Sequence, residues 1–290
     1  MGEQSGDAVP LDGGITNRNY RVTFGDHDCV VRVPGKDTGL LGIDRGAECQ
    51  ANKLAAELGV APPVVLMLDK PEVIVTRFIE ARAMSEEDLR GPDAIQRTAA
   101  TLRTVHDSGQ EVPATFDSFR VVEEYMDTAA GRGVARPGYY DEALAHAHAI
   151  EAALSGPEHD PVPCHNDLLC ANFLDESGTI RIVDWEYAGM GDRYFDLGNF
   201  SVNNELDEDA QDALLEAYFG EPPDARRRAT LQLMRFMSDF REAMWAVVQS
   251  GISELDFDFE DYAATHFARL RETAADPGFE SSLREANAGA

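Results

Sequence analysis

The chain has 290 residues, of which 43% are hydrophobic and 27% charged, enough to bury the core of one or two domains. Its 25 basic and 53 acidic side chains give a formal net charge of −28, which repels nucleic-acid phosphates and anionic membranes. We therefore expect no nucleic-acid partner, no membrane insertion and a small cationic partner. Because the four cysteines lack CxxC spacing and no signal peptide is visible, we also expect a cytoplasmic location.

The first eighty residues have the pattern of strands around one helix. The β-rich or apolar runs lie at residues 20–24, 29–33, 64–68 and 73–79. The first two runs are joined by GDHD, a turn sequence that predicts a hairpin. Residues 44–58 carry apolar side chains at helical spacing, and Gly59 stands where a helix C-cap belongs.

From about residue 86 onward the pattern is mainly helical. Helical periodicity covers residues 86–107, 118–130, 139–154, 207–219, 224–250 and 259–274. One hairpin, residues 171–174 and 179–183, interrupts the helices. The sequence therefore predicts an α+β fold with two lobes, a small β-rich nucleotide-binding lobe at 1–80 and a larger helical lobe at 81–290, with a cleft between them.

The strongest chemical signal is CHNDLLCAN at residues 164–172, followed by Asp184 in IVDWEYAG. Phosphoryl transfer needs a carboxylate beside the acceptor hydroxyl and hard oxygen ligands for Mg²⁺. Asp167 and Asn172 lie five residues apart on a predicted loop, and the hairpin returns Asp184 toward them. The pattern thus predicts Asp167 as the catalytic base and Asn172 and Asp184 as metal ligands; the alternative is a polar turn between strands. It resembles the catalytic loop of the protein-kinase-like phosphotransferases.

Residues in the N-terminal part of the sequence also predict a nucleotide site. A loop before the first strand can place backbone N–H groups on phosphates, and its candidate cofactor-binding residues are Gly13, Gly14, Thr16 and Asn17. Arg32 and Glu48 stand where the kinase-like pattern has its phosphate-binding cation and the acidic partner of that cation. Arg77, Phe78 and Ile79 end the last strand, where a hinge would offer backbone groups to adenine. The alternative for the loop is an ordinary turn, and the alternative for Arg32 and Glu48 is a surface ion pair.

Four segments resemble the choline/ethanolamine kinases, especially the bacterial choline-kinase-like proteins. They are GGITNRNYRV, CHNDLLCANF, IVDWEYAGMGDRYFDLGNFS and MWAVVQSGISELDFDFEDYA, and the resemblance covers residues 11–270. It implies a bilobal protein-kinase-like fold, ATP and Mg²⁺ as cofactors, and phosphorylation of an amino alcohol, choline first and ethanolamine second. The alternatives are a kinase for thiamine, an aminoglycoside or another aminated metabolite, and a non-catalytic kinase-like module that binds a ligand.

The resemblance also implies a cation pocket next to Asp167. Its matching residues are Glu186, Tyr187, Trp245, Phe259 and Tyr262. Aromatic faces attract an ammonium group, although Trp245 and Phe259 could equally be core residues. Glu242 stands where choline kinases commonly have a second Trp, so a primary amine is an alternative head group to choline. Asp196 and Asn199 are expected to brace the catalytic loop.

Overall fold

The protein is described by a computed structural model that covers residues 4, 6–11, 17–35, 38–69 and 72–287. An antiparallel sheet and one long helix form the N-terminal part, and the remainder is mostly helical. The predicted α+β class, with its β-rich N-terminal and helical C-terminal parts, is confirmed. The placing of the domain boundary at residue 80 stays a prediction.

The N-terminal sheet has five strands in the order β1-β2-β3-β5-β4, with antiparallel neighbours throughout. The strands are β1 (Val9–Leu11), β2 (Asn17–Phe24), β3 (His27–Pro34), β4 (Val64–Asp69) and β5 (Glu72–Arg77). β2 and β3 form the hairpin that the turn sequence predicts, with Gly25 at a φ of 60°. β1 was not predicted from the sequence.

Helix α1 (Arg45–Glu57) follows the hairpin and packs against the second part of the chain. The Asp44 side chain caps its first turn by accepting a hydrogen bond from the main-chain nitrogen of Ala47. Gly59 follows the helix with a φ of 74°, which a residue with a Cβ rarely adopts. The helix predicted at 44–58 is therefore present, and it buries the carboxylate of Glu48.

The helical part contains the elements that carry and support the catalytic loop. Its helices are α2 (Glu86–Arg90), α3 (Pro92–His106), α4 (Ser118–Gly131), α5 (Tyr140–Ala153), α6 (Arg193–Asn203), α7 (Glu208–Phe219), α8 (Ala225–Ile252), α9 (Phe259–Ala275) and α10 (Pro277–Asn287). Its short strands are β6 (Arg82–Ala83), β7 (Val162–Cys164), β8 (Phe173–Glu176), β9 (Thr179–Ile182) and β10 (Gly189–Gly191). None of the helices in the described part of the chain combines the length and apolar composition that a membrane crossing requires.

Helix α8 is the central helix, since α4, α6, α9 and α10 all pack against it. Its segment from Leu231 to Val248 is buried almost continuously, apart from Gln232 and Arg235. One consequence is that polar side chains on α8, including Arg241 and Glu242, are held inside the protein beside the catalytic loop. These positions are fixed because a long helix packed on several sides has little freedom to shift.

Gly198 sets the distance between α6 and α8. A Cβ at this position would lie 2.8 Å from the main-chain carbon of Met234 and 2.9 Å from the main-chain nitrogen of Arg235. We expect Gly198→Ala to destabilise the fold by about 1–3 kcal/mol, because both clashes are with backbone atoms. The matched control is Gly131→Ala, where nothing lies within 4 Å of the added Cβ. Thermal unfolding measures both variants, and equal melting temperatures would contradict this close packing.

Candidate active site

A buried carboxylate, Asp196, fixes the catalytic loop between β7 and β8 through hydrogen bonds to its main chain. Asp196 accepts hydrogen bonds from the main-chain nitrogens of His165 (2.8 Å) and Asn166 (2.7 Å). Its oxygen Oδ2 also lies 3.0 Å from Nε2 of His106. Burial alone would raise the pKa of Asp196, but the hydrogen bonds from His106 and the loop keep it below its usual value.

A second brace acts one residue further along the loop. The side-chain oxygen of Asn199 accepts a hydrogen bond from the main-chain nitrogen of Leu168, and its Nδ2 donates to Ser238 at 2.9 Å. All three residues are fully buried. Both braces lie on α6, so this helix determines the conformation of the loop that presents Asp167. The bracing roles expected for Asp196 and Asn199 agree with this geometry.

The three residues of the sequence motif come together at the end of the hairpin. Nδ2 of Asn172 donates to the main-chain oxygen of Asp167 at 2.8 Å, which leaves the amide oxygen of Asn172 to act as a ligand. The main-chain nitrogen of Val183 donates to the main-chain oxygen of Asn172 at 3.0 Å and brings Asp184 alongside. Asp184 has a φ of 70° and a ψ of 60°, a left-handed conformation that is uncommon for a residue with a Cβ.

A cluster of ion pairs connects the two parts of the chain at this point. Arg32 on β3 pairs through Nη1 with Glu48 at 2.8 Å and through Nη2 with Glu186 at 3.0 Å. The same Nη2 contacts Oδ1 of Asp184. Arg45 pairs with both glutamates as well, at 2.5 Å for Glu48 and 3.1 Å for Glu186. Because the side chains of both arginines and both glutamates are mostly buried, loss of any one would leave an uncompensated charge.

A cavity of about 310 Å³ lies between the sheet and the hairpin, next to this ion-pair cluster. Arg32, Asn172 and Asp184 line one end of it. The predicted hinge residues Arg77, Phe78 and Ile79 also line the cavity, with apolar neighbours that include Val30, Ile74 and Leu174. A purine between apolar walls and phosphates toward the polar end would fit these surroundings.

The candidate metal ligands Asn172 and Asp184 meet at the polar end of the cavity. An amide oxygen and a carboxylate are hard oxygen donors of the kind that Mg²⁺ prefers, so this donor set fits the ion. Asn17 donates through Nδ2 to Glu186 at 2.9 Å and thus belongs to the ion-pair cluster. Gly13, Gly14 and Thr16, which the sequence places in the phosphate loop, lie outside the described residues.

The other side of Asp167 faces aromatic residues of the helical part. Nε1 of Trp245 donates to the hydroxyl of Tyr187 at 2.9 Å, and the Trp245 ring packs against Phe259 (5.8 Å) and Tyr262 (6.0 Å between centroids). Trp245 and Phe259 are buried, so these rings also serve as core. Glu186, predicted from the sequence for this cation pocket, instead accepts hydrogen bonds from Arg32, Arg45 and Asn17.

Two basic residues of the site were missed by the sequence analysis. Arg45 completes the ion-pair cluster, and its position at the first turn of a predicted helix beside Glu48 was the only available signal. Arg241 pairs through Nη1 with Asp167 at 3.0 Å and with Glu242 at 2.5 Å. It stands next to Glu242, the residue whose departure from the choline kinase pattern is visible in the sequence.

Residues 9–215 of the chain match the family model described as choline/ethanolamine kinase, which is well over half of the chain. The chain belongs to the choline/ethanolamine kinase family. Ethanolamine kinase 2 of Rattus norvegicus is 30% identical over 285 residues, a match that covers 88% of this chain and 72% of that protein.

Solved structures of the choline/ethanolamine kinase family share the fold. A choline/ethanolamine kinase family protein from Mesorhizobium loti has a TM-score of 0.86 at 32% identity, covering 98% of this chain and 94% of that one. The choline kinase LicA of Streptococcus pneumoniae has a TM-score of 0.78 at 23% identity, covering 92% and 94%. The predicted kinase-like fold and the prediction of a phosphotransferase of this family are confirmed.

Proposed function

We propose that this choline/ethanolamine kinase family member transfers the γ-phosphoryl group of ATP to the hydroxyl of a small amino alcohol. One observation carries the proposal: Asp167 is fixed between the cavity-lining Asn172 on one side and the aromatic cluster around Tyr187 and Trp245 on the other. A carboxylate held next to the polar residues of a nucleotide cavity is the arrangement from which an acceptor hydroxyl can be aligned with the γ-phosphate.

The transfer forms one bond and breaks one. The acceptor oxygen bonds to the γ-phosphorus, the bond to the β–γ bridging oxygen breaks, and ADP leaves with that electron pair. Asp167 accepts the proton that the acceptor hydroxyl loses. Arg32 would contact the phosphates, and Glu48 would hold the guanidinium of Arg32 in place through the 2.8 Å ion pair. Asn172 and Asp184 would hold Mg²⁺, which neutralises developing charge on the transferred group.

The proposal is tested by measuring ADP formation with Mg²⁺ and ATP. The acceptors are choline, ethanolamine, thiamine and an aminoglycoside, with an acceptor-free reaction as the blank. We expect ADP formation well above the blank with a small amino alcohol and little with the ring-bearing acceptors. Turnover of thiamine or the aminoglycoside alone would contradict the proposed acceptor class. Thermal stabilisation by ATP without ADP formation would favour a non-catalytic binding module.

Turnover is expected to depend on the protonation of Asp167. Burial raises the pKa of Asp167 to about 7, although the neighbouring Arg241 acts to lower it. A protonated Asp167 cannot accept the acceptor proton, so kcat/KM should fall as the pH drops through about 7 and should level off above it. This ratio reports the ionisation of the free enzyme, to which the pKa applies, whereas kcat reports that of the loaded complex. A kcat/KM that stays constant between about pH 5.5 and 8.5 would contradict this assignment of the base.

A further inference from the structure

Arg241 occupies the place where the sequence predicts a substrate cation. Its guanidinium carbon lies 4.2 Å from the centroid of the Tyr187 ring, so the ring face that would attract an ammonium group is already covered. The residue is 1% exposed, and its position is set by ion pairs from Nη1 to Asp167 and Glu242. A trimethylammonium group, which cannot donate hydrogen bonds, has no free aromatic face at Tyr187 and would meet a buried positive charge there.

The opposite edge of the same guanidinium has no carboxylate partner among the described residues. Nε and Nη2 of Arg241 are buried and make no hydrogen bond of standard geometry with the residues that the structure describes. The Tyr125 hydroxyl, which donates to the main-chain oxygen of Leu41 at 3.2 Å, lies beside Arg241 and is at most a weak acceptor for it. In arginine, Nε–H and Nη2–H point in parallel, and this edge binds a carboxylate through two hydrogen bonds. Buried donors without a partner are costly, so an acceptor group is expected at this edge.

Arg241 and Glu242 together present a pair of opposite charges beside the catalytic base. Glu242 accepts hydrogen bonds from Arg241 at 2.5 Å and from the Tyr262 hydroxyl at 3.2 Å, and its two oxygens have further lone pairs for an ammonium group. A positive and a negative group side by side complement a zwitterion, whose carboxylate and ammonium would face Arg241 and Glu242 respectively. A choline or ethanolamine head group has only the second of these charges.

We propose that Arg241 determines acceptor specificity, and that the preferred acceptor is a zwitterionic amino alcohol, a small hydroxy amino acid whose carboxylate binds the Nε–Nη2 edge of Arg241. This inference rests on the proposed function and narrows its substrate class. The hydroxyl of the acceptor loses its proton to Asp167 as its oxygen bonds to the γ-phosphorus of ATP, and ADP leaves. The products are a phosphate monoester of the amino acid and ADP.

Pairs of acceptors that differ only in a carboxylate test the inference. L-serine is ethanolamine with an added carboxylate, and L-homoserine is 3-aminopropanol with an added carboxylate. The measurement is kcat/KM for ADP formation by the full chain with each of these four acceptors and with choline. A bidentate charged pair corresponds to about a 10- to 100-fold preference for the carboxylate member of each pair. We expect choline to be the poorest of the five acceptors.

Substitutions at Arg241 separate recognition from folding. Arg241→Lys keeps the charge but not the two parallel N–H donors of the Nε–Nη2 edge. Arg241→Met combined with Glu242→Gln removes both charges of the pair. This double variant also leaves Asp167 without its ion-pair partner, so activity should fall with every acceptor and only the ratio between acceptors is informative. In both variants the serine-to-ethanolamine ratio of kcat/KM should fall toward one, a readout that general loss of activity does not change. The matched control is Arg269→Met, which removes an arginine paired with Asp239 at 2.6 Å on the neighbouring helix, and it should keep the wild-type ratio.

Three possible results distinguish the inference about acceptor specificity from the proposed function on which it rests. A wild-type preference for serine or homoserine that the Arg241 variants lose supports the inference. A wild-type preference for ethanolamine or choline overturns the inference and leaves the proposed function intact. The absence of ADP formation with every acceptor overturns the proposed function and the inference with it.

Discussion

Replacing Asp167 with Asn is expected to lower kcat by about 10²- to 10⁴-fold while leaving the affinity for ATP unchanged. Asn keeps the size of the side chain and can still accept a hydrogen bond from Arg241, which lies 3.0 Å away, but it cannot take up a proton. The ATP cavity is lined by Asn172 and Asp184 rather than by Asp167. Single-turnover ADP formation and ATP titration by calorimetry measure the two effects separately.

The control for Asp167→Asn is Asp160→Asn, an exposed carboxylate just before β7 on the same segment of chain. It should retain wild-type kcat and ATP affinity. If Asp167→Asn keeps most of the wild-type kcat, Asp167 is not the base. If it loses ATP affinity instead of kcat, the residue supports the nucleotide site and the assignment of roles is reversed.

Replacing Asp184 with Asn is expected to weaken ATP binding in the presence of Mg²⁺ by at least about 100-fold. The substitution removes a negatively charged oxygen ligand and one carboxylate partner of Arg32. Without Mg²⁺, the variant should bind ATP at least as tightly as the wild type, because Asn keeps the size of this cavity-lining side chain and removes a negative charge that repels the phosphates. Titration with ATP, with and without Mg²⁺, separates loss of the ion from damage to the cavity.

Asp175 on the same hairpin provides the control for Asp184. It pairs with Arg97 at 3.3 Å and does not line the described cavity, so Asp175→Asn should leave the response to Mg²⁺ unchanged. An Asp184→Asn variant that binds ATP more tightly on addition of Mg²⁺, as the wild type is expected to do, would contradict the role of Asp184 as a ligand.

The periodicity of the sequence predicted most of the helices, and the two longer ones that it missed, α6 and α10, lack the usual local signals for different reasons. Helix α6 has nine consecutive buried residues, from Tyr194 to Val202, so it shows no alternation of apolar and polar faces. Helix α10 begins with Pro277 and Gly278, residues that more often mark a turn. In both cases packing against the rest of the protein stabilises a helix that the local sequence does not predict.

The motifs predicted those residues of the candidate site that lie close together in the sequence, but not the contacts between distant segments. Asp167, Asn172 and Asp184 share one loop and hairpin, so their spacing was informative. The pairing of Arg241 with Asp167 joins residues 74 positions apart, and no periodicity encodes it. The same holds for Glu186, whose partners Arg32 and Arg45 lie on elements of the N-terminal part. Such contacts depend on how the two parts pack, which composition and spacing leave open.

The central claim is that this chain phosphorylates the hydroxyl of a small amino alcohol. The most direct measurement is mass spectrometry of the acceptor after incubation with Mg²⁺ and ATP carrying ¹⁸O in the γ-phosphate, with wild type and Asp167→Asn in parallel. We predict an amino alcohol that gains a labelled phosphoryl group with the wild type and remains unmodified with the variant. Labelled inorganic phosphate as the sole product, or equal phosphorylation by both proteins, would contradict the account.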